Sequence, residues 1–247
     1  MKLILFDIDG TLIYHVGLKT GKFVRPVGYH FVHAIKEVYG VDTVFDLHDH
    51  NGSVDRKIVW DMVKTKGIPR AEFELKFSSI IPIIHESMKT ASIESSPTPL
   101  YDCPIGAREL VQILHKEGKN HLGIITGNVE QVGWWKLEYV HLREFFDFGV
   151  FGDEADNRIA LAHTVFTKAD AYFQTSFKPE DIIIVGDTIH DIRCAKAIGA
   201  SSIVVTTGFH NDKEVFQKEE PNVIADSLMD KSVLDFLGVE GYKQEKA

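Results

Sequence analysis

The sequence predicts an α/β chain built on a doubly wound parallel sheet, with an α-helical segment inserted after the first strand. Three observations predict it. Short apolar runs recur at 3–6, 122–125, 148–151, 182–185 and 202–205, each too short for a helix and without the polar alternation of a half-exposed strand. Helix-patterned stretches separate them, and strands that alternate with helices build a parallel sheet. Between the first two runs, however, lies a stretch far longer than an ordinary crossover. Residues 14–98 therefore read as a separate helical cap, and residues 1–13 together with 99–247 as the core.

Leu3-Ile4-Leu5-Phe6 reads as a strand buried on both faces, and Asp7 stands at its C-terminal tip. In open α/β sheets the crevice beyond the strand tips is where ligands bind. Asp7 and Asp9 are two residues apart, so both can face one way while Ile8 turns into the core. Gly10 permits the sharp exit. An Asp-x-Asp-Gly-Thr segment also suits a plain strand-ending turn, so its meaning depends on the motifs at the other strand tips.

In the insertion, Pro26 is a good first-turn residue, and Val27, Phe31, Ala34, Ile35 and Val38 share one helix face up to Gly40. A second helix is expected over about 55–66, on Ile58, Val59, Met62 and Val63. A third runs over about 70–90, where Phe73, Phe77, Ile80, Ile81, Ile84 and Met88 form a stripe. These stripes read as core packing. Gly17 to Lys22 and Ser95 to Pro99 are turn-rich and read as hinges, which would let the cap close over the acids and exclude water.

The core pattern resumes at Pro104 with a helix on Ile105, Leu110, Val111 and Leu114. The strand at 122–125 ends in Thr126-Gly127-Asn128, directly before a helix carrying Trp134, Trp135 and Leu137. A hydroxyl and amides there can cap the helix or cradle a phosphate oxygen. The tryptophans read as helix-to-sheet packing. After Phe148–Phe151 comes a polar stretch, Gly152 to Arg158, then a helix over about 161–173. Ile182–Val185 ends in Gly186-Asp187-Thr188-Ile189-His190-Asp191, repeating the logic of the first strand. If a helix begins near Asp187, Asp187 and Asp191 share a face of its first turn and can hold a hard, oxygen-preferring cation such as Mg²⁺. A strand at 202–205 and a weak edge strand near 222–224 complete the pattern.

Composition narrows the function. Hydrophobic residues at 44% and charged residues at 26% exclude a disordered chain, and no stretch has the apolar length to cross a bilayer. The formal charge of −9 argues against nucleic acid or an anionic membrane as partner. An anionic small substrate needs a local cation, which clustered aspartates would recruit. Met1 leads straight into the first strand, which leaves no room for a signal peptide, so a cytoplasmic location is expected. Cys103 and Cys194 read as free buried thiols. Nothing in the sequence sets an oligomeric state.

Taken together, Asp7-Ile8-Asp9-Gly10-Thr11, Thr126-Gly127-Asn128, a basic residue after the third strand and Gly186-Asp187-x-x-x-Asp191 resemble the haloacid dehalogenase-like hydrolases. The order and spacing span the whole core. Gly52-Ser53-Val54-Asp55 further resembles a Gly-x-Thr-Asp cap segment of the phosphoglycolate phosphatase branch, although Ser53 and Val54 do not reproduce it fully. The resemblance implies a Rossmann-like core with a helical cap of the first class. It implies Asp7 as a nucleophile forming an aspartyl-phosphate, and Asp9 as the general acid and then base. Mg²⁺ would be held by Asp7, the backbone carbonyl of Asp9, and Asp187, with Asp191 in support. Thr126, Gly127 and Asn128 would bind the phosphoryl group. The cation beside Asp7 is a Lys in most relatives; here the resemblance implies Arg158 as the better placed, with Lys168 the other candidate.

Asp9 points to a phosphatase or a phosphomutase, since the superfamily's dehalogenases lack an acid there and its ion pumps carry Thr. The expectation is a Mg²⁺-dependent phosphatase acting on a small phosphorylated metabolite. A sugar phosphomutase of the β-phosphoglucomutase kind, or a binding protein without turnover, is the alternative. His48-Asp49-His50 reads as a solvated loop rather than a metal cluster, and His190 as structural. Asp55 and Arg56 can face the closed site from the cap, or be an ordinary helix cap and surface cation.

Overall fold

The computed structural model describes residues 1–50, 52–209 and 212–239. In chain order, β1 (Leu3–Phe6) is followed by β2 (Tyr14–His15) and five helices: α1 (Val16–Thr20), α2 (Tyr29–Tyr39), α3 (Leu47–His50), α4 (Asp55–Lys64) and α5 (Arg70–Glu94). Then come β3 (Tyr101–Asp102), α6 (Ala107–Glu117), β4 (His121–Ile125), α7 (Glu130–Tyr139), β5 (Phe148–Val150) and α8 (Arg158–Phe173). The chain continues through β6 (Ile182–Gly186), α9 (Ile189–Ile198), β7 (Ser201–Val205), α10 (Lys213–Lys218), β8 (Val223–Ala225) and α11 (Lys231–Leu237).

Six strands form one parallel sheet in the order β5-β4-β1-β6-β7-β8. The chain starts in the middle, winds out to one edge through β4 and β5, then returns to β6 and winds out to the other. That path makes β1, β4 and β6 neighbours, so their C-terminal tips meet at the point where the winding reverses. Side chains alternate between faces as the pleat requires. Ile4 and Phe6 join the cluster covered by α6, α7 and α11, whereas Leu3 and Leu5 join the one covered by α8 and α9. Both faces are buried, which is why these strands read as unbroken apolar runs.

Several sequence expectations are corrected. The helix expected from Pro26 begins at Tyr29 instead, because Pro26 to Gly28 make a turn in which Tyr29 N donates to Pro26 O at 3.0 Å. Val27 is consequently exposed and takes no part in the helix face. Ile105 likewise sits at the tip of a turn closed by Ala107 N to Pro104 O and is 91% exposed, so α6 starts after it. The expected linker at Gly17–Lys22 is largely the short helix α1, started by His15, whose Nδ1 accepts from Gly17 N. Tyr14–His15 pairs antiparallel with Tyr101–Asp102, tying the entry and exit of the helical segment together. His48-Asp49-His50, read as a solvated loop, falls within a four-residue helix, Leu47–His50.

The helical segment is not isolated from the sheet. Phe31, Ile35, Val59, Phe73 and Ile80 belong to the same apolar cluster as Ile4 and Phe6, and α5 lies against α7. Trp134 packs edge-on to Phe151 at 4.9 Å, and Trp135 against Tyr101 and Tyr139. Among the described residues, no helix is long and apolar enough to cross a membrane.

Candidate active site

The tips of β1, β4 and β6 bring together residues far apart in sequence. Asp7 continues β1, its N–H donating to Val185 O of β6 at 2.8 Å, and its side chain is almost fully buried. Asp187 and Asp191 are buried beside it, and one carboxylate oxygen from each of the three lies within 4.8 Å of the others. Asp187 is not on the helix, as the spacing had suggested. It ends the turn after β6, and Thr188 caps α9 instead, its N–H and hydroxyl donating to Asp191 Oδ2 at 3.0 and 2.7 Å. That capping box fixes Asp191. Thr11 fixes Asp187 through a 3.0 Å hydrogen bond from Oγ1 to Oδ1. Gly10, at φ +92°, passes so close to Asp187 that a Cβ there would fall 2.2 Å from its carboxylate oxygen.

Arg158 is the cation at this cluster. It opens α8, three residues earlier than the predicted helix start, because Asn157 caps the helix by accepting from Ala160 N. Its guanidinium reaches Asp7 at 3.3–3.4 Å and Asp191 at 3.4 Å, while its Nε donates to Gly52 O at 3.1 Å. Lys168, the other candidate, is instead engaged by Glu154 at 2.6 Å. Burial pushes the Asp7 pKa up; Arg158 opposes this, and the neighbouring Asp191 and Asp9 add to it. Asp187 is raised well above the usual carboxylate range, first by burial, then by Asp191 and Asp7. One guanidinium does not offset three buried carboxylates. An all-oxygen, anionic set of this kind fits a hard divalent cation such as Mg²⁺.

Asp9 faces a different partner. Its carboxylate is held by Lys136 Nζ at 2.6 and 2.8 Å and by Asn128 Nδ2 at 2.7 Å. Burial would raise its pKa, but Lys136 and the Asn128 hydrogen bond outweigh that and hold it below the usual range. Lys136 also donates to Asn128 Oδ1 at 2.8 Å, and Asn128 Nδ2 to Thr126 Oγ1 at 2.9 Å. The side chain of Asn128 is thus committed to positioning Asp9, while fully buried Thr126 stands at the tip of β4. Sequence reasoning missed Lys136. The signal was there: with Val132, Gly133 and Leu137 it occupies the buried stripe of α7, where a lysine is out of place unless paired.

The segment 52–55 docks on this loop. Asp55 N donates to Gly127 O at 2.7 Å, and Asp55 Oδ2 accepts from Val129 N at 2.9 Å. A Cβ on Gly127 would lie 2.1 Å from Ser53 O, so only glycine allows the approach. Burial raises the Asp55 pKa to about 7, against the lowering pull of Lys136. Asp55 lines the cavity over the acids; Arg56 does not, being drawn outward to Asp156 at 3.0 Å and to Glu74. His50 also lines it, in contrast to its expected place in a solvated loop, and the side chain of Asp49 lies outside the described residues. Among the described residues, the acidic triad is the only group with metal-ligand spacing. Cys103 and Cys194 are free, and burial pushes the Cys194 thiol up to about 12, so it is inert.

The chain matches, over residues 155–231, a family model described as HAD-hydrolase-like. It is 31% identical over 239 residues to the phosphoglycolate phosphatase of Salmonella typhimurium, covering 92% of this chain and 89% of that protein. It is 27% identical to the pyrophosphatase PpaX of Halalkalibacterium halodurans, over 96% of this chain and 97% of the other. Among solved structures, a haloacid dehalogenase-like family hydrolase from Streptococcus pneumoniae superposes with a TM-score of 0.56 over 96% of this chain and 97% of its own, at 21% identity.

Proposed function

Since the chain belongs to the haloacid dehalogenase-like hydrolase superfamily and is a hydrolase of phosphoric monoesters, we propose that it acts on a small phosphorylated metabolite through an aspartyl-phosphate on Asp7. The observation that carries this reading is the division of labour between two acids two residues apart. Asp7 lies buried against Arg158 beside Asp187 and Asp191, whereas Asp9 is turned to Lys136 and Asn128.

In the first step an Asp7 carboxylate oxygen attacks phosphorus, the bond from phosphorus to the ester oxygen breaks, and Asp9 delivers a proton to the departing alkoxide. In the second, Asp9 takes a proton from water, whose oxygen attacks phosphorus and frees Asp7. Arg158 holds Asp7 in line, and Thr126 with the backbone of Gly127 and Asn128 receives phosphoryl oxygens. Mg²⁺, held by the carboxylates of Asp7 and Asp187 and the backbone carbonyl of Asp9, with Asp191 in support, would supply the positive charge that draws in the phosphate and offsets charge on the transferring group. Residues 14–98 act as a cap that excludes water and limits substrates to those that fit beneath it. The two unpaired cysteines agree with a cytoplasmic setting.

The test is phosphate release from a panel of small phosphomonoesters, with Mg²⁺ and with chelator, for the wild type and Asp7→Asn. Metal-dependent release lost in the variant is expected. Absence of release from every ester, with metal bound and the protein folded, would overturn the hydrolase and leave a phosphomutase, which retains the phosphate and needs a phosphorylated activator, or a binding protein.

A further inference from the structure

The cavity over the aspartates is larger than a phosphoryl group and a two-carbon acid require. It encloses about 420 Å³, the size range of pockets that bury whole organic ligands. Its walls carry rings. Phe31 and Phe45 stack with centroids 5.6 Å apart, Phe45 continues to His50 at 5.3 Å, and His15 stands edge-on to Tyr101 at 5.4 Å. Leu18, Val24, Val27 and Phe209 line the same space yet stay between 36% and 48% exposed. Large apolar side chains gathered in the open around one cavity mark a binding surface.

Apart from Lys19 at the rim, the polar groups on these walls are neutral or already engaged. A carboxylate or second phosphate on the substrate would call for a cation, and among the described lining residues three of the four lysines and arginines are already held by carboxylates. Lys136 is held by Asp9, Arg158 by Asp7 and Asp191, and Arg25 by both oxygens of Glu94 at 2.6 and 2.7 Å. Lys19 is exposed at the rim, its ammonium 3.6 Å from the centre of the Tyr14 ring. Desolvation, then Lys136, pushes the His30 pKa down to about 3, so this imidazole is uncharged. His15 accepts at Nδ1 from Gly17 N, which leaves its proton on Nε2 as a donor. Ser87 of α5 is only 7% exposed and lines the cavity, and its hydroxyl has no hydrogen-bond partner among the described residues. A buried hydroxyl without a partner can serve a polar group on an occupant once its side chain turns to the cavity.

We infer that the substrate is the phosphomonoester of an uncharged, ring-bearing alcohol, such as a nucleoside or a heteroaromatic alcohol, whose ring lies against the Phe31–Phe45 wall and whose polar edge meets Ser87. This rests on the phosphatase reading above and adds the leaving group to it. The ring supplies stacking area that a two-carbon acid lacks, and a neutral polar edge matches neutral donors and acceptors.

The test is kcat/KM for phosphate release, with Mg²⁺, from 2-phosphoglycolate, pyrophosphate and acetyl phosphate, and from uridine and adenosine 5′-monophosphates and pyridoxal 5′-phosphate. A ring-bearing ester is expected to exceed 2-phosphoglycolate by about tenfold or more, as stacking of one ring provides, and the nucleotide and pyridine arms tell which ring is taken. Phe45→Ala and Ser87→Ala should each lower the ratio of kcat/KM for that ester to kcat/KM for acetyl phosphate, by about fivefold for one lost stacking face or one lost hydrogen bond. Release from 2-phosphoglycolate or pyrophosphate equal to or above every ring-bearing ester overturns the inference and leaves the phosphatase standing. A ratio unmoved in both variants overturns the placement of the ring on this wall. Release from no ester, with metal bound, overturns both readings together.

Discussion

Lys136 shows how one residue sets the behaviour of another. Its ammonium is buried and holds both oxygens of Asp9, and burial, which alone would lower its pKa, is outweighed by Asp9 so that it stays charged. On the proposed chemistry Asp9 must carry a proton to the leaving group and then remove one from water, so its pKa governs the working pH. Because Lys136 depresses that pKa, Lys136→Met should raise it and move the limb of the kcat–pH profile due to Asp9 to higher pH. Turnover at neutral pH should fall by about 10–100-fold, since Asp9 also loses its anchor. A profile that keeps its position would mean that Lys136 is only a packing residue. Cys194 illustrates the contrary case, a buried thiol donating to Arg158 O at 3.2 Å whose raised pKa keeps it out of the chemistry.

At the scale of elements, the question is what holds the helical segment over the sheet. One attachment is the strand-like docking of 52–55 on the loop after β4, where Gly127 lies against Ser53. Gly127→Ala would drive a methyl into backbone, which has no flexible end to give way. A cost of about 1–3 kcal/mol is expected, lowering Tm by roughly 2–4 °C per kcal/mol for a chain of this size, and kcat/KM should fall with it because Gly52 O no longer meets Arg158. A thermal melt and an assay on the same preparation check both. The second attachment is ionic: Asp156, in the loop before α8, accepts from Arg56 at 3.0 Å and Arg70 at 2.7 Å. These pairs are partly exposed and contribute only about 0–1 kcal/mol to stability. Asp156→Ala should therefore leave Tm nearly unchanged while raising KM several-fold if the segment works as a closing cap. An unchanged KM would show that the ionic attachment has no part in closure.

For the whole molecule, the buried acids link stability to pH and to metal. Asp55 takes up its proton near pH 7 when folded but near 3.8 when unfolded, and Asp7 and Asp187 are shifted in the same direction. A group with a raised folded pKa contributes stability below its unfolded value and loses it as pH rises toward the folded one. The metal-free protein should thus become less stable between about pH 4 and pH 7, at most by about 1.4 kcal/mol per pH unit for each proton. Melts in chelator at pH 5 and pH 8 measure this; Asp55→Asn should flatten the slope, and Mg²⁺ should raise Tm most at the higher pH, where the triad is ionised. A Tm that ignores Mg²⁺ would argue against a metal at Asp7, Asp187 and Asp191. What the sequence determined by itself was the local layer: strands buried on both faces show as unbroken apolar runs, and acids at their tips stand out because charge rarely follows such runs. The parallel sheet and the acids at its strand tips, Asp7 and Asp187, were legible for that reason. The tertiary structure decided what depends on contacts between distant segments. It chose Arg158 over Lys168, turned Arg56 away to Asp156, placed Asp187 before its helix rather than on it, and revealed Lys136 under Asp9 and the ring-lined cavity above. Arg56 meets Asp156 across 100 residues and Lys136 meets Asp9 across 127, so these partners have no local periodicity and only folding brings them within hydrogen-bond range.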